Sequence, residues 1–344
     1  MITLEGDELV FRFTDLHEAA ECRVQLQRTL RIPDDGREYP LPPGLGPFPM
    51  RHLDDVASRM DPAMAARGGV IVPMWQAEAL WIAFQEPRRP GLPPYPFALK
   101  VATGKIDAVS GERWAPGLHR LQQNYVVIPG QPWLDGYAIE KGVIRQFVAM
   151  PLGQGYTAEE QITGSAEFGG IQIQAYPMKA ARYARLCDQY RRRALVLESA
   201  LDMMSVAHLS TGCVAPAAMG LAPGGRMRQH IYEDEYGVDA WETDATARCF
   251  ITILNSADWQ VVTGEAPPTR PPTARAYSKA GLPWFDYYSD RPAVSGSGVL
   301  SKLKSVMSLG TDKGEAPLPE NESADPAPPV PLGRGPRRVR EANL

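Results

Sequence analysis

The sequence predicts an α+β fold: one large β-rich domain of meandering antiparallel sheets, with a few short helices, one longer helix and a disordered C-terminal tail. Apolar and polar residues alternate in many short runs, as they do in strands that cover a core with one face. The chain of 344 residues spreads 33 prolines and 31 glycines along its length, so turns should be frequent and long helices few.

Two strands are predicted in the central stretch, residues 141–179. Val143–Met150 is rich in β-branched and aromatic residues. Ile171–Tyr176 alternates apolar with polar side chains, which predicts one face towards the core and one towards solvent. Further strands are predicted at residues 9–13, 23–32, 70–72, 80–84, 97–101, 106–109, 125–128, 227–232 and 249–254. Residues 74–84 fit a buried helix as well as a strand, and we favour an extended end at 80–84.

Short helices are predicted from their capping residues. Thr157 and Glu160 have the spacing of a capping box, which predicts a helix at Ala158–Thr163 that ends at Gly164. Ser256 and Thr273 are predicted to cap helices at 256–262 and 274–279.

The longer helix is predicted after Lys179. Its apolar residues recur at alternating spacings of four and three, namely Tyr183, Cys187, Tyr190, Ala194, Leu197, Leu201 and Met204. Tyr183, Tyr190, Leu197 and Leu201 are therefore candidate interface residues for self-association or a protein partner. The alternative is that this stripe packs on the protein's own sheet, since so short a heptad run seldom holds subunits together alone.

The composition changes beyond Arg291. We predict a globular domain at 1–291, a Ser-Gly linker at 292–298, a short amphipathic helix at 299–309 and a disordered tail at 310–344. Weak contact of the amphipathic segment with a membrane surface is compatible with its pattern.

Charge and cysteine usage limit the function classes. A net charge of −4 gives no general electrostatic reason to bind nucleic acid. We expect neither a secretory signal nor a transmembrane segment, because no apolar run approaches the roughly 20 residues that span a bilayer. The four cysteines are far apart, so free thiols in the cytoplasm are expected.

No nucleotide-binding, serine-hydrolase or zinc-protease motif is present, and we predict no cofactor and no metal. His208, Cys213 and His230 could form a Cys–His pair, although a structural cysteine is the more common arrangement. The acid-rich segment 233–244 could bind calcium but lacks the EF-hand order of residues, which favours a solvated loop. Candidates for ligand binding are the polar side chains of the central strands, Glu140, Gln146, Gln172, Gln174 and Tyr176.

Four blocks are long and specific: QRTLRIPDDG at 27–36, RQFVAMPLGQGYTAEEQ at 145–161, GGIQIQAYPMK at 169–179 and GLPWFDYY at 281–288. They resemble a widespread family of uncharacterised bacterial proteins, over about residues 1–290. The resemblance implies no activity, cofactor or catalytic residue.

The absence of a catalytic signature favours a non-enzymatic binding or assembly protein, with catalytic residues unknown. The alternative is an enzyme of unrecognised type, with a polar cleft around the central strands. A pocket with converging titratable groups would favour the enzyme.

Overall fold

The computed structural model of the protein describes residues 1–119, 121–194, 218–287, 289 and 291–332. Its strands are β1 (Ile2–Glu5), β2 (Glu8–Arg12), β3 (Glu21–Thr29), β4 (Glu38–Tyr39), β5 (Gly44–Pro47), β6 (Arg51–His52), β7 (Val70–Met74), β8 (Ala79–Gln85), β9 (Phe97–Thr103), β10 (Ile106–Asp107), β11 (Val126–Ile128), β12 (Trp133–Leu134), β13 (Gly136–Glu140), β14 (Val143–Pro151), β15 (Ile171–Pro177), β16 (Ala218–Arg228), β17 (Ala247–Asn255), β18 (Phe285–Tyr287) and β19 (Val330–Leu332). The helices are α1 (Pro62–Ala65), α2 (Ala158–Thr163), α3 (Ala180–Ala194), α4 (Ser256–Thr263), α5 (Ala274–Lys279) and α6 (Val306–Asp312). Short 3₁₀ helices lie at Asp54–Arg59, Val238–Ala240, Leu300–Lys302 and Pro319–Asn321.

Strands β1–β17 belong to one hydrogen-bonded sheet. An antiparallel path runs through β1, β2, β3, β8, β14 and β16, and continues through β17, β15, β9 and β11. Parallel pairing occurs between β17 and β7 and between β16 and β4. The β-rich, largely antiparallel prediction is therefore confirmed.

The sheet folds over one main core. Val24 of β3 and Ile82 of β8 belong to the same buried cluster as Val101 of β9 and Ile173 of β15. The alternation in the sequence explains this for β3, where every second residue from Cys22 to Arg28 is buried and those between are partly exposed. In β15 the face predicted to meet solvent is also covered, since Gln172 and Tyr176 are buried. A second cluster, with Ile144 on β14, lies outside this core.

The central helix has the predicted capping box. Thr157 Oγ1 accepts a hydrogen bond from Glu160 N at 3.2 Å, and Glu160 Oε2 accepts one from Thr157 N at 3.1 Å. Gly164 ends α2 with a φ of 74°, in the left-handed region that glycine adopts without strain. One capping residue differs from prediction, because Asn255 and not Ser256 caps α4, through Ala257 N.

Segment 292–298 is not a free linker. Ser297 is 1% exposed, its N–H donates to Ala138 O at 2.8 Å and its Oγ donates to Ser110 O at 2.6 Å. At Gly296 an added Cβ would lie 2.6 Å from the Cα of Glu140. The small residues that suggested flexibility instead allow close approach of two backbones.

The predicted amphipathic helix at 299–309 is two elements, the 3₁₀ turn at Leu300–Lys302 and α6. Leu300, Leu303 and Val306 are buried against the globule, so these side chains are not presented to a membrane surface. None of the helices in the described residues is long and apolar enough to cross a membrane.

Residues 310–332 also contact the globule, where the sequence predicts the start of a disordered tail. Asn321 and Ala324 are buried. Two of the polar contacts that hold this segment, from Arg31 and Arg37, come from residues almost 290 positions earlier, which no local pattern indicates. The rest of the predicted tail, 333–344, lies outside the described residues.

Candidate functional site

The five residues predicted to bind a ligand are each engaged locally. Gln146 is buried, where its Nε2 donates to Leu30 O at 2.9 Å and its Oε1 accepts from Ile32 N at 2.8 Å. It therefore ties β14 to the chain that follows β3. Glu140 is exposed and pairs with Arg226 at 3.2 Å.

The other three lie on β15 and bond to neighbouring segments. Gln172 Nε2 donates to Gly104 O at 2.6 Å, and Gln174 Nε2 donates to Thr246 Oγ1 at 3.1 Å. The Tyr176 hydroxyl accepts from Gly117 N at 3.2 Å, and burial raises its pKa. None of the five lines either of the two clefts described below.

Two of the four candidate interface residues, Tyr183 and Tyr190, lie in the described part of the chain, and they differ in burial. Tyr183 is fully buried: its hydroxyl donates to Pro93 O at 2.8 Å and its ring lies 4.2 Å from that of Tyr95. Tyr190 is 42% exposed. Leu197 and Leu201 lie outside the described residues. Tyr183 therefore packs into the protein's own core, beside loop residues such as Pro93 and Tyr95.

A first cleft of about 490 Å³, the acidic cleft, is lined by residues around Gln123, Asp234 and Val294. Asp234 Oδ2 accepts from the Tyr125 hydroxyl at 2.8 Å and from Trp241 Nε1 at 2.9 Å, while its Oδ1 accepts from Tyr236 N. The carboxylate therefore organises aromatic residues within the acid-rich loop. Among the described residues, no group of three or more His, Cys, Asp or Glu could hold a metal ion.

A second cleft, the aromatic cleft, has a volume of about 290 Å³. It lies between β12, the end of β16 with the residues after it, and β18. Its lining comprises Leu41, Gln131, Pro132, Trp133, Gly142, Arg228, Gln229, His230, Tyr232, Asp286, Tyr287 and Ser289. The half-buried rings of Trp133 and Tyr287 meet edge to face at 4.9 Å, and Trp81 packs on Trp133 at 6.2 Å.

Two buried glutamines fix the backbone of this cleft. Gln131 Nε2 donates to Trp133 O at 2.9 Å and to His230 O at 3.1 Å, and its Oε1 accepts from Tyr232 N. Gln229 Oε1 accepts from Asp135 N at 2.9 Å. These side chains are committed to the protein, so they orient the cleft and are not themselves groups that a ligand would engage.

Asp135 holds the indole of Trp133 through a hydrogen bond. Trp133 Nε1 donates to Asp135 Oδ2 at 2.6 Å. Burial raises the pKa of this carboxyl to about 7, and the hydrogen bond from Trp133 offsets only part of the desolvation. A carboxyl of this kind exchanges its proton near neutral pH.

Arg228 and Asp286 stand at the rim, each about half exposed, with 3.8 Å between their closest charged atoms. Such a long, solvent-exposed pair contributes little to stability. The guanidinium is therefore available to an anionic group that enters the cleft.

None of the described residues that line this cleft is a cysteine. The described cysteines Cys22, Cys187 and Cys249 are buried elsewhere, and burial raises the pKa of the Cys22 and Cys249 thiols. His208 and Cys213 of the suggested Cys–His pair lie outside the described residues, whereas His230 is on the rim of the aromatic cleft.

Sequence reasoning missed Trp133, Asp135, Arg228, Asp286 and Tyr287 as a group. Two signals were present: the PWLDG turn at 132–136 and the aromatic GLPWFDYY block. Nothing in the sequence indicated that these segments meet, because about 150 residues separate them.

Comparison of the chain with protein-family models, curated proteins and solved structures found no match.

Proposed function

We propose that the protein is a non-enzymatic binding protein and that the aromatic cleft holds its ligand. The proposal rests on the pair of half-buried rings, Trp133 and Tyr287, which pack edge to face and line the cleft, with Trp133 held by its hydrogen bond to Asp135. Aromatic rings that are neither fully buried nor fully solvated are common in binding sites, because they offer large contact area with little conformational freedom to lose.

The lining favours a small ligand with one flat apolar face and one acidic group. The flat face would pack on Trp133 and Tyr287, and the acidic group would pair with Arg228. The volume of about 290 Å³ is at the lower end for small-molecule sites and suits a ligand of one or two rings.

The test uses 2-naphthoate and its uncharged analogue 2-naphthamide, followed by calorimetry and thermal shift. We expect naphthoate to bind more tightly, and Arg228→Gln to remove the preference for the acid. Trp133→Leu should weaken both ligands. Arg185→Gln, an exposed arginine on α3, is the control and should change neither. Equal responses of wild type and Trp133→Leu would contradict the proposal.

Asp135 favours the enzyme alternative, now placed at the aromatic cleft instead of the central strands. Asp135 does not itself line the cleft, but its carboxyl, with a pKa of about 7, bonds to the indole of Trp133, which does. A carboxyl that titrates near neutral pH beside a cleft is a candidate general acid or base. Turnover of a bound compound that Asp135→Asn abolishes, with binding retained, would replace the binding proposal by this one.

The leading proposal also includes assembly, either with a protein partner or with a second copy of the chain. We further propose that the protein is located in the cytoplasm. The described cysteines, all unpaired thiols, support a reducing compartment.

A further inference from the structure

The C-terminal strap, residues 319–332, lies in a groove that adjoins the aromatic cleft: Arg228 lines both, and β18, which carries Asp286 and Tyr287 of the cleft, pairs with β19 of the strap. One wall of this strap groove is the segment 31–39 and the other is the segment 275–287. Between α6 and the strap runs an exposed connection, residues 313–317, whose side chains Lys313 and Glu315 contact Tyr156.

Side-chain contacts with residues 31–37 hold the first half of the strap. Arg31 Nη2 donates to Asn321 Oδ1 at 2.7 Å, and Ser323 Oγ donates to Asp35 Oδ2 at 2.7 Å. Arg37 donates to Ala324 O at 3.0 Å and pairs with Asp325 at 3.2 Å.

Ala324 is the buried centre of the strap. It belongs to the same apolar cluster as Tyr39 and Trp284, and its N–H donates to the Tyr39 hydroxyl at 3.3 Å. A larger or charged side chain at position 324 would not fit in this buried cluster beside Tyr39 and Trp284.

The second half is held by the backbone. Val330 N donates to Trp284 O at 2.7 Å, and β19 pairs in parallel with β18. Between the two halves, Pro326 and Pro329 line the same depression as Tyr39 and Arg37. Addition of a strand to an exposed edge, with side-chain pockets beside it, is how many domains recognise extended peptides.

The strap is not an ordinary core element. Only Asn321 and Ala324 of its side chains are buried, and the ion pairs of Asp325 and Glu322 are exposed. Arg31 also opposes docking: it is 2% exposed, and its Nε and Nη1 have no partner among the described residues. Desolvation of that guanidinium removes part of the gain from the other contacts.

We infer that the strap groove is a peptide-recognition surface, that the chain's own strap is its tethered occupant, and that the strap of a second copy occupies it when the own strap is vacated. The two straps are identical in sequence, so every contact above can form between copies. A segment on an exposed connection can exchange without rearranging the core.

The first test vacates the groove in the full chain with Ala324→Glu and adds a fluorescein-labelled peptide of residues 319–332. We expect the variant to bind this peptide at least ~10-fold more tightly than wild type, because in wild type the tethered strap competes at an effective concentration of about a millimolar. The same peptide carrying Ala324→Glu is the matched control and should not bind.

Arg37→Glu, combined with Ala324→Glu, should weaken peptide binding at least ~10-fold, and a peptide with Asp325→Lys should recover part of the loss. Asn321→Arg sets a cation against Arg31 and serves as a second vacating variant should Ala324→Glu fail to fold. Absence of peptide binding to both folded vacating variants would overturn the inference.

The second test asks for exchange between copies. A chain with Arg37→Glu has an intact strap that its own groove holds less tightly, and a chain with Ala324→Glu has an intact but vacated groove. We expect each alone to sediment as one species, and the mixture to form a heterodimer. Unchanged sedimentation of the mixture would overturn the role of the second copy. None of these readouts involves the ligand of the aromatic cleft, so peptide binding and heterodimer formation can fail while naphthoate binding by the wild-type chain is retained.

Discussion

At the scale of the residue, buried polar side chains in this protein act mainly as ties between distant segments. Gln146 joins β14 to Leu30 and Ile32, and Gln131 joins β12 to the chain after β16. Arg28 and Glu78 form a buried pair at 2.7 Å, and Glu78 also accepts from Trp75 N. Burying such groups is unfavourable unless they are paired, so each of them requires its partner segment to lie at one position.

Asp135 gives a prediction of pH dependence. Its pKa is about 7 in the folded protein and about 4 in an unfolded chain, so the folded state retains the proton over that interval. Stability from this group is therefore present below about pH 4 and is lost as pH rises to about 7. Asp135→Asn keeps an acceptor for Trp133 Nε1 and does not titrate. Relative to wild type, its unfolding free energy should rise between pH 4 and 7 by up to about 4 kcal/mol.

Urea denaturation at several pH values measures this, with Asp107→Asn as the comparison. Burial raises the pKa of Asp107 to about 6. The difference in unfolding free energy between Asp107→Asn and wild type should therefore stop growing at a lower pH than the same difference for Asp135→Asn. If the difference in unfolding free energy between Asp135→Asn and wild type does not change with pH, the raised pKa of Asp135 is contradicted.

At the scale of the element, β3 follows the alternation of its sequence, whereas β15, predicted to have one solvent face, is buried on both faces. The helices are decided by what they dock against. α3 places Tyr183 in the core between Tyr95 and His17, yet Tyr190, on the same predicted stripe, is exposed. α6 buries Val306 against the outer face of the sheet. A heptad spacing predicts which side chains share a face, but not how far along the helix that face stays covered.

The two tyrosines of α3 form a matched pair for a stability test. Tyr183→Ala removes a buried ring and a hydroxyl hydrogen bond, so we expect a loss of about 3–5 kcal/mol in unfolding free energy. Tyr183→Phe removes only the bond to Pro93 O and should lose about 1 kcal/mol. Tyr190→Ala should stay within about 0.5 kcal/mol of wild type. Chemical denaturation measures all three, and similar losses for Tyr183→Ala and Tyr190→Ala would contradict the packing of α3.

At the scale of the whole molecule, residues 291–332 are part of the globule that precedes them. Segment 292–298 bonds to β13, the 3₁₀ turn at Leu300–Lys302 adds to the main core, and α6 packs over β14 and β16. The sheet is therefore covered on its outer side by chain that follows it in sequence.

Limited proteolysis tests this arrangement. We expect no early cleavage by proteinase K within 292–298, although the urea-unfolded chain should be cut there. Gly296→Ala adds a Cβ that would meet the Glu140 backbone at 2.6 Å, at a φ of +82°, and should open the segment to the protease. Gly298→Ala is the control, because a Cβ there meets nothing within 4 Å. Rapid cleavage in wild type at 292–298, identified by mass spectrometry of the fragments, would restore the linker predicted from composition.

The sequence by itself determined the elements whose causes are local. Alternation specified strands such as β3 and β15, and the Thr157–Glu160 spacing specified α2, because side-chain direction and capping depend on neighbours in the chain. Only the tertiary structure decided the aromatic cleft and the strap groove. Trp133 meets Tyr287, and Arg31 meets Asn321, through contacts between segments about 150 and 290 residues apart, whose formation depends on how the whole sheet folds over its core. Gln146 shows the same limit: the sequence revealed a polar side chain on a central strand, but its partners came from a part of the chain that no local pattern connects to it.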